Sequence, residues 1–290
     1  MKPCPPPDPS PKRPSRLTLP ADTCDTHGHI FGPATRYPWN PARGYTPPDA
    51  LPDAYEALHA ALGVARGVLT QPSVYGTDNR CMLDYTSNNL GRMRAVVAVG
   101  PGVDDKALAD MHAQGARGIR VNIADPGGNP FASFAELGGM AHRLKPLGWH
   151  IELLLHVHQM DDVIDEIRRL PVDISVGHLG YMPAGMGVAH PKYQAFLGVV
   201  ADGRCWVKLT APYRISGLAH VPYADVAPFA RALVACRPDR VLWGTDWPHP
   251  ICPVAMPNDG DLTDHLAEWI PDEAIRRRVL VANPAELFGF

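Results

Sequence analysis

Eight short runs rich in β-branched and apolar residues, each followed by a longer stretch with helical spacing, restrict the fold of this chain more than any other feature. The runs occupy residues 23–31, 66–73, 93–100, 118–123, 150–156, 173–180, 205–212 and 240–248. Between them, segments such as ALPDAYEALHAAL, DKALADMHAQG and DVIDEIRRL place apolar residues three or four apart, the period of one helix face. Glycine closes several of these segments, as in AQGARGIR and PLGWHIEL, which suits a helix C-terminal cap. Strands alternating with helices imply parallel pairing through right-handed crossovers. Eight such units, in the roughly 250 residues typical of the fold, predict an α/β protein built as a single (β/α)8 TIM barrel, spanning residues 21–290. An open doubly wound sheet is the rival. Against it, the first run is not followed by G-x-G-x-x-G, the turn such sheets use to hold dinucleotides.

Residues 1–20 stand apart. Eight of them are proline, and the segment lacks the apolar stretch of a signal peptide. It reads as a disordered or extended arm, with docking into a homo-oligomer as the minority reading. The formal net charge of -3 argues against a nucleic-acid partner, which would call for a basic excess. No apolar run reaches the roughly 18 residues of a membrane span. The six cysteines are scattered singly without a C-x-x-C pair, so they are expected to be reduced thiols of a cytoplasmic protein.

In such a barrel, reactive groups sit at the C-terminal ends of the strands. His27 and His29 end the first run, Arg120 and Asn122 lie in the fourth, His156 ends the fifth, and His178 lies in the sixth. Tyr213 and Arg214 follow the seventh, and Asp246, then His249, close the eighth. Residues two apart share a strand face. His27 therefore points with His29, Arg120 with Asn122, and Glu152 with Leu154 and His156, which aims His156 at the barrel axis. A lone histidine is more often packing than chemistry. His59, His112 and His142 in helical segments, and His150 at a strand start, are given no functional role. An H-x-H pair, a third histidine and an aspartate at one rim are a different case. An inward arginine is costly unless paired, so Arg120 favours an anionic ligand over a bare structural role. Tyr45, Arg80 and Tyr181 lie in loops or just past strand ends, where substrate contact and surface packing are equally good readings. Asp125 reads as a turn starter.

D-T-H-G-H-I-F-G-P at 25–33, V-G-H-L-G at 176–180 and W-G-T-D-W-P-H-P at 243–250 resemble the amidohydrolase superfamily. The chain is most similar to the amidohydrolase-related branch typified by 2-pyrone-4,6-dicarboxylate lactonase, from about residue 20 to the C-terminus. G-Y-T-P at 44–47, G-T-D-N-R at 76–80 and G-I-R-V-N at 118–122 match the same branch. The resemblance implies that His27, His29 and His178 surround a lactone carbonyl, that Asp246 activates water, and that Arg120, Arg214 and Tyr45 bind carboxylates and carbonyl. It implies no required metal, although the same constellation binds zinc elsewhere in the superfamily.

The chain departs from that branch at three places. The loop ADPGGNP after the fourth run lacks an arginine, Tyr181 stands in place of another, and Leu154 stands in place of a tyrosine. Each missing arginine removes a carboxylate clamp, so a monocarboxylated or sugar-acid lactone is expected in preference to 2-pyrone-4,6-dicarboxylate. The alternative is a zinc-dependent decarboxylase holding one Zn2+ through His27, His29, His178 and Asp246, with His156 as an obvious extra ligand. A non-catalytic binding barrel would be expected to have lost Asp246 or a histidine of the first strand.

Overall fold

The computed structural model describes residues 2–124, 129–159 and 163–290; the turn expected at Asp125 lies outside them. Eight parallel strands follow one another around the sheet in chain order: β1 (Cys24–Gly28), β2 (Arg66–Thr70), β3 (Met93–Val97), β4 (Ala116–Asn122), β5 (His150–Leu154), β6 (Ile174–Val176), β7 (Cys205–Leu209) and β8 (Val241–Trp243). Each falls within one of the eight sequence runs except β4, which begins two residues early. The strands are buried on both faces, as a parallel sheet covered by crossover helices requires.

The first and last strands meet without a regular ladder. Thr26 Oγ1 donates to the Trp243 carbonyl at 2.8 Å, and Asp246 N to the His27 carbonyl at 2.7 Å. His29 N donates to the Trp247 carbonyl, also at 2.7 Å. Beside them the Asp25 carboxylate accepts Thr245 N at 2.9 Å and Thr245 Oγ1 at 2.7 Å. Gly244 permits this approach, since a Cβ there would stand 2.7 Å from His27 N. A separate apolar cluster of Cys24, Val68, Val96, Trp206 and Leu242 fills the lower barrel and is capped by Leu287 and Phe288. These last two belong to the C-terminal helix Asn283–Phe288, the final turn expected from NPAELF. Asn283 Nδ2 fastens it to the Val241 carbonyl at 2.7 Å.

The proline-rich arm is extended and laid on the barrel. Lys2–Pro3 pair in parallel with Tyr45–Thr46. Asp264 accepts Ser15 N at 2.9 Å, Ser15 Oγ at 2.6 Å and Arg16 N at 2.7 Å. Asn258 Oδ1 accepts Lys12 N at 3.1 Å. All six cysteines are free thiols, and no helix among the described residues is long and apolar enough to cross a membrane.

His150, at the start of β5, is buried, with its Nδ1 2.9 Å from the Arg117 carbonyl. Burial pulls its pKa from the ordinary 6.5 down to about 4. The unfolded chain therefore binds this proton first as the pH falls. The contribution is whole above pH 6.5 and is lost as the pH drops toward 4, by an amount on the order of 3 kcal/mol. A His150→Gln variant should show a flatter dependence of urea-unfolding stability on pH across that interval. Parallel slopes in the two proteins would assign the effect to other groups.

Candidate active site

Three imidazoles converge on one carboxylate oxygen. Nε2 of His27, of His29 and of His178 lie 3.5, 3.6 and 3.9 Å from Asp246 Oδ1. Each ring is oriented from behind. His29 Nδ1 lies 2.7 Å from the Thr70 carbonyl, His178 Nδ1 2.7 Å from Thr210 Oγ1, and His27 Nδ1 3.3 Å from Lys208 Nζ. Burial holds the His27 and His178 imidazoles well below their ordinary pKa, so both rings are neutral.

The second oxygen of Asp246 is fully engaged. Oδ2 accepts Tyr213 OH at 2.6 Å and both Nε and Nη2 of Arg214 at 3.2 Å. Burial alone would raise this carboxyl, but the Arg214 guanidinium and the facing histidines hold it well below the usual carboxylate range. Asp246 is thus an ionised base whose Oδ1 faces the site. Its backbone is left-handed, with φ at 63°, and His178 has φ at 51°. Such conformations are costly for side-chain-bearing residues and gather at functional sites. They also explain why β6 and β8 stop short of the sequence runs that contain them.

Above this group lies a narrow cleft lined by His29, Tyr45, Arg120, Asn122, Leu154, His178, Tyr181, Arg214 and Asp246 among others. His27 is fully buried beside Asp246 and is not part of this lining. Arg120 donates through Nη1 to the Gln71 carbonyl at 3.2 Å, while its Nε has no partner among the described residues. One of the lining residues is already largely engaged, and two other expected residues lie outside the lining. Arg214 grips Asp246, donates from Nη1 to Tyr181 OH at 3.1 Å, and donates from Nη2 to the Pro250 carbonyl at 2.5 Å. It therefore holds the Asp246 carboxylate, and little of its donor set remains free. His156 is not brought to the axis, because β5 ends at Leu154 and the alternation ends with it. Its ring packs edge-on against Tyr181 at 4.6 Å. Arg80 is carried away from the cleft by the helix it opens, Arg80–Ser87. Its largely exposed guanidinium forks onto Asp78 at 2.8 and 2.6 Å.

The sequence reading missed Lys208. It lies fully buried on β7, paired with Glu152 of β5 at 2.5 Å. The signal was available: alternation in CWVKLTAP turns Lys208 toward the axis, where Glu152 already pointed. Also unassigned was His59, which is buried with its Nε2 3.3 Å from Asp25 Oδ2.

The donor set fits a divalent metal by type and spacing. His27, His29 and Asp246 offer ligand atoms within 4.8 Å of one another. His27 Nε2 is buried without a hydrogen-bond partner among the described residues. Nitrogen and carboxylate donors of this kind suit zinc.

The family model described as Amidohydrolase matches residues 24–290. A 4-sulfomuconolactone hydrolase of Hydrogenophaga intermedia is 37% identical, with 95% of this chain and 91% of that one aligned. A 2-pyrone-4,6-dicarboxylate hydrolase of Comamonas testosteroni is 36% identical over 96% of this chain and 93% of its own. The apo crystal structure of an Agrobacterium tumefaciens protein superimposes with a TM-score of 0.85 at 29% identity, covering 94% of this chain and 97% of the other.

Replacing Asp246 by Asn should preserve the fold and lower kcat by roughly 10²-fold or more. Circular dichroism and steady-state kinetics on any lactone that the native protein opens provide the check. Near-normal turnover would remove Asp246 from the chemistry.

Proposed function

The chain belongs to the amidohydrolase family, and from that premise we propose that it hydrolyses the ring ester of a small lactone bearing an acidic group. The convergence of three imidazoles on the free oxygen of an ionised aspartate carries this reading. Asp246 Oδ1 takes a proton from water, and the oxygen of that water bonds to the lactone carbonyl carbon. Imidazole N–H groups polarise the carbonyl oxygen as charge develops on it. The carbon–oxygen bond of the ring then breaks, and the proton held by Asp246 goes to the departing oxygen. The product is an open-chain acid.

Arg120, with Asn122 and Tyr45 on the cleft wall, would hold the acidic group. Since Arg214 is committed to Asp246 and Tyr181, the cleft favours one firmly gripped carboxylate over two. This supports a monocarboxylated or sugar-acid lactone over 2-pyrone-4,6-dicarboxylate. Free cysteines throughout favour a cytoplasmic setting.

The zinc-dependent decarboxylase is the second reading, favoured by the ligand spacing at His27, His29 and Asp246. These residues with His178 would hold one zinc, which would supply Lewis-acid polarisation and an acidified water. The metal-free reading is supported by the guanidinium already on Asp246, whose charge opposes a dication there. His156, packed behind Tyr181, lends the metal reading no fourth histidine.

Two measurements separate these readings. Prolonged chelation should leave lactone hydrolysis intact; loss of activity restored by stoichiometric zinc, or release of carbon dioxide, would favour the decarboxylase. Arg120→Met should raise KM for a monocarboxylated lactone by the equivalent of roughly 1.5–3 kcal/mol, with little effect on an uncharged lactone of similar shape. Equal losses in kcat/KM on the two substrates would make Arg120 structural.

A further inference from the structure

We propose that Lys208 fixes the proton of His27 on Nε2, so that the two histidines of the H-x-H pair are opposite tautomers: His27 presents a donor to the site and His29 an acceptor. A lysine ammonium has three donors and no acceptor. Lys208 Nζ lies 2.5 Å from Glu152 Oε2, 2.7 Å from the Thr26 carbonyl and 3.3 Å from His27 Nδ1. Both Lys208 and Glu152 are fully buried, and a buried charge persists when its opposite lies against it. With all three contacts at Nζ made by donation, His27 Nδ1 contributes a lone pair, and the ring N–H sits on Nε2. The competing arrangement sends an Nδ1 proton to Glu152 Oε1, 3.4 Å away. The orientation does not make that bond, and Oε1 has no partner among the described residues.

His29 is set the other way. Its Nδ1 lies 2.7 Å from the Thr70 carbonyl, which can only accept, so in the neutral ring the proton is on Nδ1 and Nε2 carries the lone pair. Equivalent positions in an H-x-H motif thus offer different chemistry because one ring backs onto an ammonium and the other onto a carbonyl. Lys208 is a positioning residue in this scheme. It keeps on His27 Nε2 the N–H that a carbonyl oxygen would meet as negative charge builds there, a role that rests on the hydrolytic reading above. It also opposes metal ligation, because the Nε2 proton would have to move to the nitrogen that faces the ammonium.

The tautomers can be read without any substrate. Long-range 1H–15N spectra of the intact protein carrying 15N-histidine should show a protonated Nε2 and a bare Nδ1 for His27, and the reverse for His29. Signals are assigned by their loss in His27→Gln and His29→Gln. The same tautomer at both positions, or a protonated Nδ1 at His27, would overturn the proposal. Replacing Lys208 and Glu152 together by Met removes both charges and leaves neither unpaired. This variant should lose the fixed His27 pattern, bind zinc more tightly in calorimetry, and lose roughly 10–100-fold in kcat with KM little changed. An unchanged His27 pattern in the double variant would remove Lys208 as the cause. Should that variant fail to fold, the native spectrum alone decides. Correct tautomers in a protein that opens no lactone would sink the hydrolytic reading and leave this one standing.

Discussion

Closure of the barrel at the β1–β8 seam is the constraint on which the site depends. The H-x-H pair lies on one edge of the seam and Asp246 on the other. The backbone bonds from Asp246 N to His27 and from His29 N to Trp247 therefore join the two halves of the candidate site directly. Asp25 is the seam's buried anchor. It gathers the backbone and hydroxyl of Thr245, the Tyr55 hydroxyl at 3.1 Å and the His59 ring. Burial would push this carboxyl up, yet the His59 and Thr245 contacts keep it below the ordinary range. A buried charge deprived of such partners is destabilising by about 3–5 kcal/mol. The first aspartate of D-x-H-x-H thus holds the wall in which the two histidines are set.

Cations are distributed in the same spirit. Each of three positive side chains near the axis, the buried Lys208 and the half-buried Arg120 and Arg214, has a distinct neighbour: Lys208 the Glu152 carboxylate, Arg214 the Asp246 carboxylate, and Arg120 a single backbone carbonyl. Two are internally neutralised and hold other groups in place. The third faces the cleft with donor capacity left over. Counting positive charges in the sequence therefore overstates the pull on an anionic ligand, because it does not separate a clamp on the protein from a clamp on a substrate.

Strand positions were legible because alternation and apolar runs are local properties of the chain. His27, His29, Arg120, Asn122, His178 and Asp246 were brought to one rim by that logic alone. It failed where regular geometry stopped. His156 was projected inward along a strand that ends two residues earlier. β8 was drawn through Asp246, although Gly244 and the left-handed Asp246 turn the chain there. Arg80 was judged by its loop position, whereas its direction is decided by Asp78 and the start of a helix. The Lys208–Glu152 pair could be seen only by comparing two strands far apart in sequence and noticing that opposite charges face one axis. Tyr45 was found by motif likeness; its burial beside Arg120 arises from a two-residue pairing too short to leave a periodic trace.

That pairing involves the arm, and it bears on the entropy of ordering the cleft. Pinning a twenty-residue extended segment would ordinarily cost more conformational freedom than a few surface hydrogen bonds return. Eight prolines restrict the backbone before the arm ever touches the barrel, so less freedom is surrendered on docking. Stiffness in the arm transmits the anchorage at Asp264 and Asn258 to the strand that carries Tyr45. A flexible sequence of equal length and equal hydrogen bonding would hold the same wall of the cleft less firmly.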